Sequence, residues 1–279
     1  MVLSSGSPLA ICPVTMSSTP ELSTTKHFNK TADKYETNTG GATRELAQHA
    51  INFITDLKPL TSESKILDNA CGTGIVTDTI VHERFSSQPN VHTAVMGGEE
   101  LSFSDNTFTH SITSLGIMYF TDPDKGACEI ARTLHPDGVA VVTGWMMMGH
   151  IKIIREVQAQ IRPDDTPFKP PVSDIWLDPE HTKAVLSDAG LDVRISTTVD
   201  VYLGGETADA VADLLTHGFG SKVFGCWSEG EKEKGAEVMK TIVRESAVPF
   251  TRSSGPGVGI KSTASVFVAC KGSSRVSDL

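Results

Sequence analysis

The sequence predicts an α/β fold, a mostly parallel sheet covered by helices on both faces and closed by an antiparallel C-terminal strand. Three observations carry that expectation. A short apolar strand at 65–68 runs through a glycine-containing turn into a helical stretch. Strand and helix patterns then alternate as far as residue 143. Finally, two late strands separated only by helices are placed to pair as a hairpin-like edge.

The elements follow in order. Residues 43–57 carry Ala47, Ala50, Ile51 and Ile54 at the spacing of one helix face, with Pro59 just beyond. Strand 65–68 leads into a helix from Ile75 to about Phe85. Strands are expected at 91–96, 108–117 and 138–143, where β-branched and apolar residues cluster. Between the last two, Asp122 is placed to cap a helix with Pro123 in its first turn. Ala127, Ile130, Ala131 and Leu134 line its buried face, and His135-Pro136-Asp137-Gly138 ends it. Beyond Trp145 come a helix near 151–161, a proline-rich loop at 163–171 and a helix at 179–189 stopped by Gly190. These read as a cap insertion over about 146–190, able to roof a pocket. Strand 193–203, helix 207–215, a helix from Ser228 with a Ser-x-x-Glu capping box, and strand 261–270 complete the domain.

Composition narrows the function. The 279 residues, 39% hydrophobic and 21% charged, suffice for one full core. The net charge is -10 and the 24 Lys and Arg are scattered, so no basic stripe suits a phosphate backbone; a small-molecule or protein partner is expected and nucleic acid is not. The cysteines at 12, 71, 128, 226 and 270 form no C-x-x-C pair and have no histidines at ligand spacing, which implies no metal site and a reducing compartment. No apolar run is long enough to span a bilayer. Residues 1–25, rich in Ser, Thr and Pro, read as a disordered tail, 26–272 as the domain and 273–279 as a second tail; a cytoplasmic location is expected.

The turn at Asp68-Asn69-Ala70-Cys71-Gly72-Thr73-Gly74 points to chemistry. An acid at the strand end followed by Gly-x-Gly lets backbone N–H groups and the positive helix end approach a nucleotide-like ligand. Thr77 stands where a dinucleotide fingerprint needs a small residue, and the Gly-Lys-Ser/Thr of a phosphate-binding loop is absent. With the preceding Ile66-Leu67, this run resembles motif I of the class I S-adenosylmethionine-dependent methyltransferase family, particularly small-molecule enzymes of fungal secondary metabolism. Two more runs support the resemblance. Gly98-Glu99-Glu100-Leu101-Ser102-Phe103-Ser104-Asp105-Asn106-Thr107-Phe108 is similar to the segment entering that family's fourth strand. Arg132-Thr133-Leu134-His135-Pro136-Asp137-Gly138 is similar to the turn before its fifth.

The resemblance implies a three-layer Rossmann-like sheet with S-adenosyl-L-methionine as cofactor. Asp68 and the backbone around Ala70, Cys71 and Gly72 would hold its aminoacyl end, with Gly74 easing the helix start. Gly98 and Glu99 would lie by the adenine, and Ser114 and Leu115 near the sulfonium. Tyr35 resembles the aromatic residue that closes over the cofactor, or is a packing tyrosine. In one respect the sequence departs from the family. The second strand, whose terminal acid receives the ribose hydroxyls, and the helix after it find no room between Gly74 and Val91, so the sheet is expected to be one strand short. Either the surviving strand moves in beside the first and Glu99 or Glu100 replaces the acid, or it stays outside and the gap is filled imperfectly. Glu99 and Glu100 read equally as a solvated acidic loop.

Methyl transfer needs alignment more than a base. His150 is the candidate proton acceptor for a hydroxyl of high pKa, since functional loops sit at the carboxyl ends of parallel strands. Trp145, Met146, Met147, Met148 and Trp176 would form an adaptable apolar pocket, or plain core. Two readings stay open: a methyltransferase acting on an O, N or S atom of a small metabolite, and a methyltransferase-like protein without transfer activity, an isomerase, cyclase or regulatory partner. An NAD-dependent oxidoreductase is disfavoured by Thr77. The oligomeric state is not legible.

Overall fold

In β2 (Ile66–Asp68) every residue is buried, as a strand covered on both faces requires. This computed structural model describes residues 2–4, 32–84 and 90–271. β2 pairs in parallel with β4 (Phe108–Ser114), Leu67 opposite Ser111, and β4 pairs in parallel with β5 (Leu134–Met147), Ile112 opposite Val141. The C-terminal strands then turn antiparallel. β8 (Gly255–Lys271) lies between β5 and β6 (Leu191–Gly205), and β7 (Val248–Arg252) forms a hairpin with β8 that the sequence reading did not anticipate.

The other side of β2 differs from the expectation. β1 (Val2–Ser4) pairs antiparallel with both β2 and β3 (Asn90–His92), giving the order β3-β1-β2-β4-β5-β8-β6. Residues 2–4 are therefore not part of a disordered tail. The backbone groups along the open side of β2 need partners, and this strand supplies them. β3 keeps an outer position instead of moving in beside β2. It is also shorter than the expected 91–96: pairing stops at His92, and Val95 is 81% exposed. Residues 5–31 and 272–279 lie outside the described set, with most of the first expected tail and all of the second.

The helices follow their apolar spacing. α1 (Tyr35–Asn38) is one turn; α2 (Ala42–Leu57) buries Leu46, Ala47, Ala50, Ile51 and Ile54; α3 is Ile75–Arg84. α4 (Pro123–Thr133) opens with the Asp122 side chain accepting from the Lys125 N–H at 2.9 Å. Then come α5 (Gly149–Ile161), α6 (Pro179–Asp188), α7 (Ala208–His217), α8 (Ser221–Phe224) and α9 (Glu229–Ser246), the last with the Ser228–Glu231 capping box in place. None is long and apolar enough to cross a membrane.

Two cores result. The larger joins the sheet to α2, α4 and α6. The smaller gathers Ile154, Phe224, Trp227 and Met239 with Leu203 and Ile260 at the ends of β6 and β8. This corrects the expected cap at 146–190. Val185 and Leu186 of α6 face the sheet core, whereas α5 combines with α7, α8 and α9 to form the helical cap, because their apolar faces match one another.

Candidate cofactor and acceptor site

The turn after β2 is built by its own residues. Asp68 Oδ2 accepts from Thr77 N–H at 3.2 Å and Thr77 Oγ1 at 2.8 Å, so the strand-end acid caps α3. Burial raises the Asp68 pKa, and the Thr77 bonds work against that rise. Thr77, whose bulk argues against a dinucleotide, is thus the residue that anchors the turn. Ala70, Gly72 and Gly74 all have positive φ, 56°, 52° and 82°. For Ala70 that conformation costs about 1–2 kcal/mol. Leu115, at the end of β4, is left-handed too, with φ 53°. The two turns touch through Gly116, where a Cβ would stand 2.6 Å from that of Ala70. Of the three described non-glycine residues with positive φ, two, Ala70 and Leu115, thus line the same cavity. Strain gathered in this way marks a functional site.

The cavity has a volume of about 1190 Å³. Asp68, Ala70, Cys71 and Gly72 lie on one wall; Gly98, Glu99 and Glu100 border it; Ser114 and Leu115 form the floor between. The structure therefore brings these predicted residues together. Gly74 is the exception: it is buried off the wall and acts through its φ, its N–H donating to Cys71 O at 2.8 Å. The two glutamates differ. Glu99 Oε1 accepts from Thr121 N–H at 2.7 Å and so ties its loop down, while Glu100 is exposed at the rim.

Phe120, which the sequence reading missed, presents its ring to the cavity between Gly98 and Gly126, where a Cβ on either glycine would overlap it. The second and third motifs also meet. Arg132 donates to Leu101 O at 2.9 Å and Phe103 O at 2.8 Å and pairs with Glu129 and Asp105, while Glu129 accepts from Leu101 N–H at 2.7 Å.

Tyr35 reaches the cavity from α1. That turn is held by Arg44, which bonds Glu36 at 2.9 Å and Asp78 at 2.8 Å, and by Arg252, which donates to Gly40 O at 2.8 Å and pairs with Glu45 at 2.7 Å. Burial pushes the Tyr35 phenol up to about 12, and burial together with Tyr35 raises that of Tyr119, also on the wall. Both remain hydrogen-bonding phenols at neutral pH.

At the far end, Trp145 and Met148 line the cavity, but Trp176 does not. Trp176 is 7% exposed, packs edge-on against His181 at 4.6 Å and belongs to the sheet core. Met147 is 38% exposed at the end of β5 and off the wall, as is Met146. His150 is on the wall, buried, with its ring 4.5 Å from that of Phe219. Desolvation lowers its pKa to about 4, so the imidazole is neutral at pH 7. It is positioned by Gly149, whose N–H donates to Ser262 Oγ at 3.1 Å and whose missing Cβ lets α5 start against the Lys261 carbonyl. Phe219 and Lys222, also on the wall, sit in the short connection from α7 through α8, where no local pattern distinguishes them from a surface loop.

Fold and cavity together define a Rossmann-like α/β protein with a nucleotide-type turn at the head of one large chamber. Residues 69–142 match the family model described as Methyltransferase domain, a stretch that contains the second and third motifs and most of the first. Among curated proteins it is 24% identical over 125 residues to the uncharacterized protein Rv1405c of Mycobacterium tuberculosis, and equally to one from Mycobacterium bovis. The match spans 45% of this chain and 45% of each relative, so it reaches less than half their length. Among solved structures, the [4+2]-cyclase SpnF is similar with 14% identity and a TM-score of 0.48, over 96% of this chain and 99% of that one. Geranyl diphosphate methyltransferase in complex with S-adenosylmethionine is similar with 16% identity and a TM-score of 0.40, over 81% and 85%.

The residues present fit that cofactor. Gly72 opens onto the cavity with nothing within 4 Å of where a Cβ would stand, so the loop backbone is accessible. The 1190 Å³ exceeds the roughly 300–1,000 Å³ typical of a single-ligand pocket, leaving space for cofactor and acceptor side by side.

Proposed function

We propose that this protein transfers a methyl group from S-adenosylmethionine to an O, N or S atom of a small, largely apolar metabolite. The supporting observation is the meeting of two strained turns, at Ala70 and Leu115, on the wall of a chamber large enough for two ligands. The aminoacyl end would lie along the backbone of Ala70, Cys71 and Gly72, the adenine by Gly98 and Phe120, and the reacting centre above Ser114 and Leu115. Tyr35 covers it. When bound, the cofactor would supply an electrophilic methyl group to the acceptor atom, with the electron pair of the broken bond staying on sulfur and the acceptor's proton passing by way of His150 to solvent. The chain aligns that acceptor and keeps water away with Trp145 and Met148. His150 offers a neutral nitrogen to the acceptor's O–H or N–H. A depressed pKa makes it an orienting group more than a strong base. The secondary-metabolism setting and cytoplasmic location belong to this proposal, on the motif resemblance and the cysteine usage.

One observation favours a second reading, a methyltransferase-like protein without transfer. β1 fills the slot beside β2, and Glu99 is engaged with Thr121, which leaves Glu100 to receive the ribose hydroxyls. Calorimetric titration with S-adenosylmethionine and with its demethylated product separates the two. Micromolar binding of both supports transfer; no heat at millimolar ligand favours the non-transferring protein.

A further inference from the structure

The proline-rich stretch at 163–171 contributes one wall of the chamber, and α5 fixes where that wall stands. Phe168, Pro170, Pro171 and Val172 line the cavity. Pro163, Pro167, Pro170 and Pro171 have no N–H to donate, so the stretch cannot hold itself by main-chain bonds as a helix or strand would. Two side chains of α5 do so instead. Gln158 Nε2 donates to Thr166 O at 2.8 Å, Gln158 Oε1 accepts from Phe168 N–H at 2.8 Å, and Arg155 Nε donates to Phe168 O at 2.7 Å. Gln158 lies on the buried face of α5 with Ile154 and Val157, where an amide costs free energy unless both its ends are bonded. Both ends are bonded, and both to this loop. From Lys169 to Val172 no hydrogen bond joins the loop to other described residues. The wall therefore hangs on its two ends, Phe168 packed against the cap core and Val172 in the sheet core.

We infer that Gln158 is a positioning residue for acceptor choice: it holds Phe168 and the Pro170-Pro171 segment as a fixed stop, so that the chamber admits apolar acceptors only up to a set length. This rests on the methyl-transfer reading, which gives the far end of the chamber to the acceptor, and says what that end selects. Two consecutive prolines with fixed φ make the segment stiff, so a shift at Phe168 carries the wall with it. Gln158 is itself off the cavity wall and acts only through the loop backbone, whereas His150 and Ile151, in the first turn of the same helix, face the chamber directly. One helix thus presents the neutral imidazole to the acceptor and sets how far the acceptor reaches. The bonds that build the cofactor turn run between Asp68 and Thr77, on another element, so the stop can be reset without touching that turn.

The test titrates primary n-alkanols, from butanol to decanol, calorimetrically into the full chain, with and without the demethylated cofactor product. In the parent, affinity is expected to rise about fourfold per methylene up to a cut-off length and to stay flat beyond it. Gln158→Met should move the cut-off to longer alkanols, Phe168→Ala should move it furthest, and S-adenosylmethionine affinity should stay within a few-fold of the parent in both. A parent that binds no alkanol or shows no cut-off overturns the inference, as does a cut-off that Gln158→Met leaves in place. A fall in S-adenosylmethionine affinity that matches the change in alkanol binding also overturns it, because the residue would then support the whole fold. Arg155→Met releases the same Phe168 backbone from the exposed side, so if Gln158→Met does not fold, an unmoved cut-off in Arg155→Met is the overturning result. The series without cofactor product keeps the two readings apart: a cut-off that moves in a protein indifferent to S-adenosylmethionine defeats the transfer proposal alone.

Discussion

The two ends of the chamber, the one proposed for the cofactor and the one proposed for the acceptor, are built in opposite ways. At the first end much of the wall is set by backbone: two left-handed turns, a glycine contact and a carboxyl that accepts from Thr77 nine residues on, all close to central parallel strands. At the acceptor end the wall is side chains from α5, the proline-rich loop and the α7–α8 connection, supported by the separate core around Trp227. Main-chain recognition tolerates little change, whereas a wall of side chains on a cap can vary without disturbing the sheet. The comparison therefore predicts that damage to one end leaves the other standing.

The strongest way to break that picture is Trp227→Ala. Removing this 4% exposed side chain from the cap core is expected to cost about 3–5 kcal/mol. Thermal melting should show the loss, while S-adenosylmethionine affinity, measured below the new transition, should stay within a few-fold of the parent. A parallel collapse of cofactor affinity would mean that the two ends are one unit. Glu100→Gln probes the other side: about a tenfold loss of cofactor affinity with unchanged stability is expected, and Glu99→Gln should instead loosen the loop through Thr121. If neither change weakens binding, the ribose is held elsewhere.

Gly116→Ala forces a Cβ into Ala70 and is expected to cost about 1–3 kcal/mol of stability and to weaken S-adenosylmethionine binding in calorimetric titration. The smallest effect concerns pH. His150 titrates near 4 in the folded chain against an ordinary 6.5, so as pH falls the unfolded chain takes up the proton first. Its contribution is complete above about 6.5 and drains away towards 4, on the order of 1 kcal/mol at pH 5. The raised Asp68 pKa works in the opposite direction, favouring the folded state as pH falls. His150→Phe should shrink the melting-temperature difference between pH 7 and pH 5; an unchanged difference would remove His150 from that account.

The elements most legible from the residues were those whose causes lie within a few positions of one another. The Asp122 cap, the Ser228 capping box, the apolar face of α2 and the glycines of the turn all belong to this class. The cap was mislocated because helical periodicity tells which face of α6 is apolar and not whether that face meets a sheet or another helix. Trp176 reads as pocket or core for the same reason: an indole fits a core and a binding wall equally well, and its neighbours, here the sheet core, decide which.

Taken alone, the sequence determined the α/β class, the order of most elements and the cofactor turn, because capping, turn chemistry and periodic burial are short-range effects. Tertiary structure decided what fills the slot beside β2, which residues brace the turns, and which side chains line the far end of the chamber. Val2 pairs opposite Leu67, and Arg252 reaches Glu45 and Gly40 across more than 200 positions. Such meetings depend on how whole faces pack, a choice that no local run of residues encodes.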